Sequence, residues 1–383
     1  MKINLKALSL ALLATLPTAA QEKSAAPPVT INETMAQIGE VMVGLFPLIV
    51  AKRELDGAQQ AAVKADVARL IELFRQASPA IEQRAETYQV SYRLVVDYLE
   101  SVQRILVNDD FDRGRGELYG LGPICASCHT QDTRLRTFFI GAGRARFPDD
   151  FSFAEFNYLT RNYDEAERYY DIYLSSPQPQ TELDVIQPLQ RLVTIYTQIR
   201  NQPGRGADKL AQYESIKTHT EETKQQLRGW VEGMRVLAKA GLGGVNQPDF
   251  KALAGYVSRY VGDLDRPLPI HVKPEQEVAR VWLRGQLYRY LANRASPDEV
   301  PSLLYWLAVT DRAIGYDYYF SLADLYLKDC VFNYAASPVA QRCFAEYTEY
   351  VNYSYSGSAG EFVPPEVKDE LERMQRVLRD AGR

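Results

Sequence analysis

Glu117-Leu118-Tyr119-Gly120-Leu121-Gly122-Pro123-Ile124-Cys125-Ala126-Ser127-Cys128-His129 is the stretch whose reading decides the fold. Two cysteines two residues apart, followed at once by a histidine, have the spacing that attaches a c-type heme. Each thiol can add to one vinyl group on the porphyrin edge, and the adjacent imidazole then reaches the iron from the proximal side. A thioredoxin-like dithiol shares the cysteine spacing, but it opens a helix after a strand in a βαβ setting. Here the flanks read as helix, with Phe111, Leu118 and Leu121 leading into the motif. The motif therefore predicts one covalent heme c, held by Cys125, Cys128 and His129 in helical surroundings.

Upstream, Thr30-Ile31-Asn32-Glu33 has the capping-box pattern that opens a helix. Met35, Ile38, Met42 and Leu45 follow at helical spacing, through Ile49. A second helix is predicted over 58–76, with Ser78-Pro79 breaking it. A third spans 81–107, and a fourth segment from 110 to 138 carries the heme motif. Four amphipathic helices with short connections predict an antiparallel bundle over 30–145.

Downstream, residues 153–174 read as a helical hairpin around Arg161-Asn162-Tyr163-Asp164. A looser hairpin follows: a helix over 185–200, a loop over 201–206, and a second helix from Ala207. Further helices are predicted at 221–240, 249–261, 274–293, 296–314, 317–332, 337–353 and 365–379, and the segment 354–360 reads as a flexible loop. No stretch alternates with a period of two, so the expected fold class is all-α, with a helical-hairpin domain over 146–383.

Residues 1–20 read as a secretory signal peptide. Lys2 and Lys6 supply the positive start, 7–16 a short apolar core, and Thr18-Ala19-Ala20 a small-residue cleavage site. Residues 21–29 read as a flexible tether. No later stretch reaches membrane-spanning length, so the mature chain is expected in the periplasm without a transmembrane segment. Export agrees with the heme motif. The net charge of −5 argues against nucleic acid as a partner. Beyond the motif the cysteines are Cys330 and Cys343. In an oxidising compartment they are expected as a disulfide across an antiparallel helix pair.

The sixth iron ligand is approached through what the chain contains. Its histidines are His129, His219 and His271, and no methionine or histidine lies between His129 and His219. That absence argues against a methionine ligand shortly after the motif and leaves Met35, Met42, or a vacant or non-methionine site as open readings. His219 and His271 lie in polar or proline-rich stretches and read as loop residues. Arg104, Arg113, Arg115, Arg134, Arg136, Arg144 and Arg146 surround the motif, fit to pair with propionates or an acidic partner, or to form a solvated face. The tyrosines from Tyr305 to Tyr355 read either as inter-helix packing or as a partner-binding surface. Nothing resembles a nucleophile–base or paired-carboxylate site, so an electron carrier is expected rather than an enzyme.

These features resemble the cytochrome c prime family and its six-coordinate four-helix relatives, over 30–139. There the heme motif lies on the last helix and the first helix supplies the other heme face. The likeness implies Met35 near the start of that helix as distal ligand. Two departures stand out: Thr133 and Arg134 replace the family's aromatic–basic pair after the histidine, and Pro123 lies two residues before Cys125. Residues 153–174 resemble a tetratricopeptide repeat, with Ala154, Ala166 and Tyr170 at its small and aromatic positions. Together these resemblances imply a periplasmic monoheme cytochrome that transfers electrons to or from a periplasmic or membrane-bound redox protein, docking a protein partner through its helical repeats. Two alternatives remain: a scaffold or assembly protein with a structural or sensory heme, and a five-coordinate heme that binds NO or CO.

Overall fold

The computed structural model describes residues 31–50, 54–82, 86–108, 110–122, 124–125, 143–176, 182–216, 220–243, 247–264, 273–314, 321–357 and 360–382. The signal-peptide and tether readings, and Thr30, lie outside them. The described chain is all-α. The exception is a two-residue antiparallel ladder, Ser356–Gly357 with Gly360–Glu361. That tight hairpin stands where the sequence suggested a loop.

Helix α1 (Ile31–Ile49) buries Ile38, Met42, Leu45 and Ile49, a stripe at intervals of three and four residues. Helix α2 (Gly57–Ile81) opens on a capping box in which Asp56 accepts from Gln59 N at 2.9 Å and Gln59 Oε1 accepts from Asp56 N at 3.2 Å. It does not stop at Ser78-Pro79. Proline falls in its last turn, so the missing N–H affects one terminal bond, and burial of Ala77 and Ile81 holds the turn. Helix α3 (Glu86–Val107) and the short helix α4 (Phe111–Leu118) follow. Helix α1 packs on α2, α2 on α3, α3 on α4, and α4 returns to α1. Helix α4 ends at Leu118, where Tyr119 and Gly120 form a turn, and of the fourth segment predicted over 110–138 residues 126–138 lie outside the described residues.

A single turn at Arg144–Arg146 leads into α5 (Asp150–Leu159) and α6 (Tyr163–Leu174), which pack as a hairpin. Arg161 takes a left-handed φ of 65° at the corner, and Asn162 N donates to Asn157 O at 2.8 Å. Helix α7 (Glu182–Thr194) widens into a π-helical turn, Ile195–Ile199, and α8 begins at Pro203 (Pro203–Ala211). The loop predicted over 201–206 is therefore shorter, because Pro203 sits at a first-turn position where no N–H is needed.

Helices α9 (Glu221–Lys239), α10 (Phe250–Tyr260), α11 (Pro274–Asn293) and α12 (Val300–Ile314) follow. Helix α11 is buried almost all round: α7, the π-helical turn, α9, α10, α12 and also α3 pack on it. Helices α13 (Ala323–Asn333), α14 (Pro338–Tyr355) and α15 (Pro365–Ala381) close the chain.

Cys330 and Cys343 are joined as a disulfide between α13 and α14, with Cα atoms 6.3 Å apart. The closed loop spans 13 residues, so the chain-entropy model gives a contribution of about 3 kcal/mol. Replacing both cysteines with alanine should lower the urea-unfolding free energy by about that amount. An unchanged midpoint would show that the bond does not constrain the unfolded chain. The first helices and the last also meet: α3 packs on α13, where Arg93 pairs with the buried Asp329.

Candidate functional site

The site grows from the end of α4. Tyr119 and Gly120 make a turn, after which Leu121–Gly122 and Ile124–Cys125 are helical again. Ile124 N donates to Gly120 O at 3.3 Å, which makes these residues one helical turn. Leu118, Leu121 and Ile124 are buried, and Cys125 is half-buried against the same core. Cys128, His129, Arg134 and Arg136 lie outside the described residues, as do His219 and His271.

Two glycines set how closely this turn packs. A Cβ at Gly120 would meet the Tyr98 hydroxyl, so any side chain there requires Tyr98 to shift. Tyr98 donates to the Glu117 carbonyl, and burial together with the Glu117 charge raises its phenol to about 12. It therefore stays a protonated donor near neutral pH. A Cβ at Gly122 would come within 3.3 Å of Leu159 Cδ1, so glycine lets α5 approach the motif closely.

Both candidate methionines lie on α1, which packs on α4. Met35 is half-buried at the start of the helix, and Met42 is buried two turns further on. Of the arginines, Arg104, Arg113 and Arg146 are exposed. Arg144 is committed to Asp150 at 2.5 Å and to the Phe147 carbonyl at 2.7 Å.

Two thiols and an imidazole are the donor types a covalent heme requires, and the one described donor, Cys125, is half-buried beside Leu118, Leu121 and Ile124, an apolar setting compatible with a porphyrin edge. Bound there, the heme would be held covalently by Cys125 and Cys128, with its iron taken by His129. Among the described residues no group of three His, Cys, Asp or Glu side chains comes together as a metal site.

An aromatic cluster beside the site escaped the sequence reading. Phe147 stands 6.4 Å from Phe46, 5.1 Å from Phe153 and 5.1 Å from Phe156, measured between ring centroids. Phe46 and Phe156 are 6.2 Å apart. The cluster joins α1 to α5, and no short-range pattern marks it, because Phe46 precedes its partners by about a hundred residues.

The helical-hairpin half carries buried polar networks. Glu155 accepts from Arg191 Nε at 3.1 Å and also from the Tyr170 hydroxyl. Burial beside the Glu155 carboxylate drives the Tyr170 phenol well above its usual range. Of the candidate tyrosine surface, Tyr305, Tyr326 and Tyr347 are core residues, whereas Tyr353 and Tyr355 are exposed; Tyr316, Tyr318 and Tyr319 lie outside the described residues. Among the described residues no helix is long and apolar enough to cross a membrane. No family model matches the chain, and neither a curated protein nor a solved structure is similar to it.

Proposed function

We propose that this protein is a periplasmic monoheme c-type cytochrome that transfers electrons and docks a redox partner through its helical-hairpin half. The observation that carries the proposal is Cys125-Ala126-Ser127-Cys128-His129, whose first cysteine stands half-buried on a helical turn against an apolar wall. Bound heme supplies a one-electron ferric–ferrous couple. The chain's part is to fix the porphyrin edge through two thioethers, to orient His129 toward the iron, and to keep water from one face with Leu118, Leu121 and Ile124. Met35 is the distal ligand, with Met42 as the alternative. In this reading 30–145 is a heme-binding four-helix bundle and 146–383 a tetratricopeptide-like partner domain, delivered by a cleaved signal peptide at 1–20.

The closed ring of contacts among α1, α2, α3 and α4 supports the bundle, and the α5–α6 hairpin supports the repeat likeness. Optical spectra of the purified holoprotein test the function. A low-spin reduced spectrum with a methionine–iron charge-transfer band is expected. A high-spin spectrum that shifts on adding CO would favour the gas-binding reading, and a heme that no reductant or oxidant titrates would favour the scaffold.

A further inference from the structure

We infer that the seam between the N-terminal helices and the last helices is a hinge closed by a charged latch. Helices α1–α4 swing away from α11 and α13 when Arg93 releases Asp329, and they pivot on the aromatic contact between α1 and α5. This goes beyond the proposed function and does not depend on it.

The two faces of α3 differ in chemistry. Val95, Leu99, Val102 and Leu106 recur at intervals of three and four residues and are buried, and Leu106 lies against Gly114 of α4. Arg93, Asp97, Glu100 and Arg104 make a second stripe at the same intervals, and every member is charged. Its first members reach α13. Arg93 pairs with Asp329, whose side chain is 7% exposed against 44% for Arg93. Asn333 Nδ2 also donates to Asp329 Oδ1 at 2.8 Å, so the carboxylate is fixed from the α13 side. Burial and Glu100 raise the Asp97 carboxyl, whereas Lys328 and Arg93 act in the opposite direction. The seam thus sets a cation and an anion on α3 against an anion and a cation on α13.

Each side of the seam is bound more firmly to itself than to the other. Helix α3 packs on α2 and α4, and Glu100 pairs with Arg75 of α2 at 2.7 Å. Across the seam, Cys330 follows Asp329 and ties α13 to α14 through the disulfide, and Lys328 meets Glu370 of α15 at 2.9 Å. An ion pair with one partner open to water is weak by comparison and sensitive to salt. Elsewhere the N-terminal helices meet the later ones through rings: Phe46 of α1 lies 6.2 Å from Phe156 of α5, and Phe147 stands against both. Parts of a chain move against each other unless their interface is large and hydrophobic. Motion therefore begins at the charged contact and turns about the aromatic one.

Small-angle X-ray scattering of the purified protein and of Arg93→Glu reads the opening. The variant sets two carboxylates face to face, so its radius of gyration should rise while far-UV circular dichroism keeps the wild-type helix signal. Carbodiimide labelling, located by mass spectrometry, gives the local view. Asp329 should become reactive in Arg93→Glu, and Asp311, enclosed with Arg284, should stay protected. If that variant does not fold, wild-type protein at about 1 M salt, where the screening length is about 3 Å, carries the same expectations. An unchanged radius of gyration would reduce the pair to a local contact. Labelling of Asp311 together with Asp329 would show that both sides of the seam unfold as one. Either result overturns the inference.

Discussion

Asp311→Ala should lower the folding free energy by about 3–5 kcal/mol, the usual effect of removing one partner from a buried ion pair. The Arg284 and Asp311 side chains are 0% and 1% exposed and meet at 2.5 Å. Asp311 also accepts from Leu322 N at 3.2 Å, so the carboxylate fixes the start of the chain that leads into α13. Alanine leaves the guanidinium buried beside Tyr288, whose hydroxyl already pairs with Tyr326. Urea unfolding followed by circular dichroism measures the loss. The double change Arg284→Met with Asp311→Leu should recover much of it, because an apolar pair of similar volume is often neutral relative to a buried ion pair. A single variant within about 1 kcal/mol of wild type would mean that water reaches the pair and that α11 and α12 open locally.

Met35→Ala should turn a low-spin iron high-spin and lower its reduction potential, because loss of a thioether removes the ligand that favours ferrous iron. Met35 suits the role by position: it is half-buried near the start of α1, on the helix that packs against α4. Met42 is enclosed in the core, so Met42→Ala should act first on stability, by about 2–5 kcal/mol as for other buried methionines. If Met42→Ala produces the spin change and Met35→Ala does not, the ligand lies two turns further along α1. If neither does, the sixth position is filled from elsewhere or open.

The helical class was legible because period-3.6 patterning is a local signal, and the stripe through Ile38, Met42, Leu45 and Ile49 carries it plainly. Helix ends were less legible. Pro79 reads as a breaker and is tolerated in a last turn, whereas Pro203 reads as loop and opens a helix. Both outcomes depend on whether the missing N–H had a partner to lose. The proposed heme motif stands in five consecutive residues, since covalent attachment demands fixed spacing. The packing around Cys125 is not legible in this way. Gly122 and Leu159, or Phe46 and Phe156, meet only after the chain has folded, and nothing local distinguishes them from other core residues. The same holds for Glu155 with Arg191 and for Arg284 with Asp311, which are 36 and 27 residues apart. Each half of such a pair reads, on its own, as an ordinary charge on a helix.

The most direct measurement is the intact mass of the protein purified from a host that attaches heme during export, together with acid-acetone extraction. The mass should exceed that of the cleaved polypeptide by one heme, the colour should stay with the protein after extraction, and Cys125→Ala with Cys128→Ala should abolish both. A mass equal to the bare polypeptide, or colour that leaves entirely with the solvent, would contradict covalent heme at Cys125 and Cys128 and with it the cytochrome.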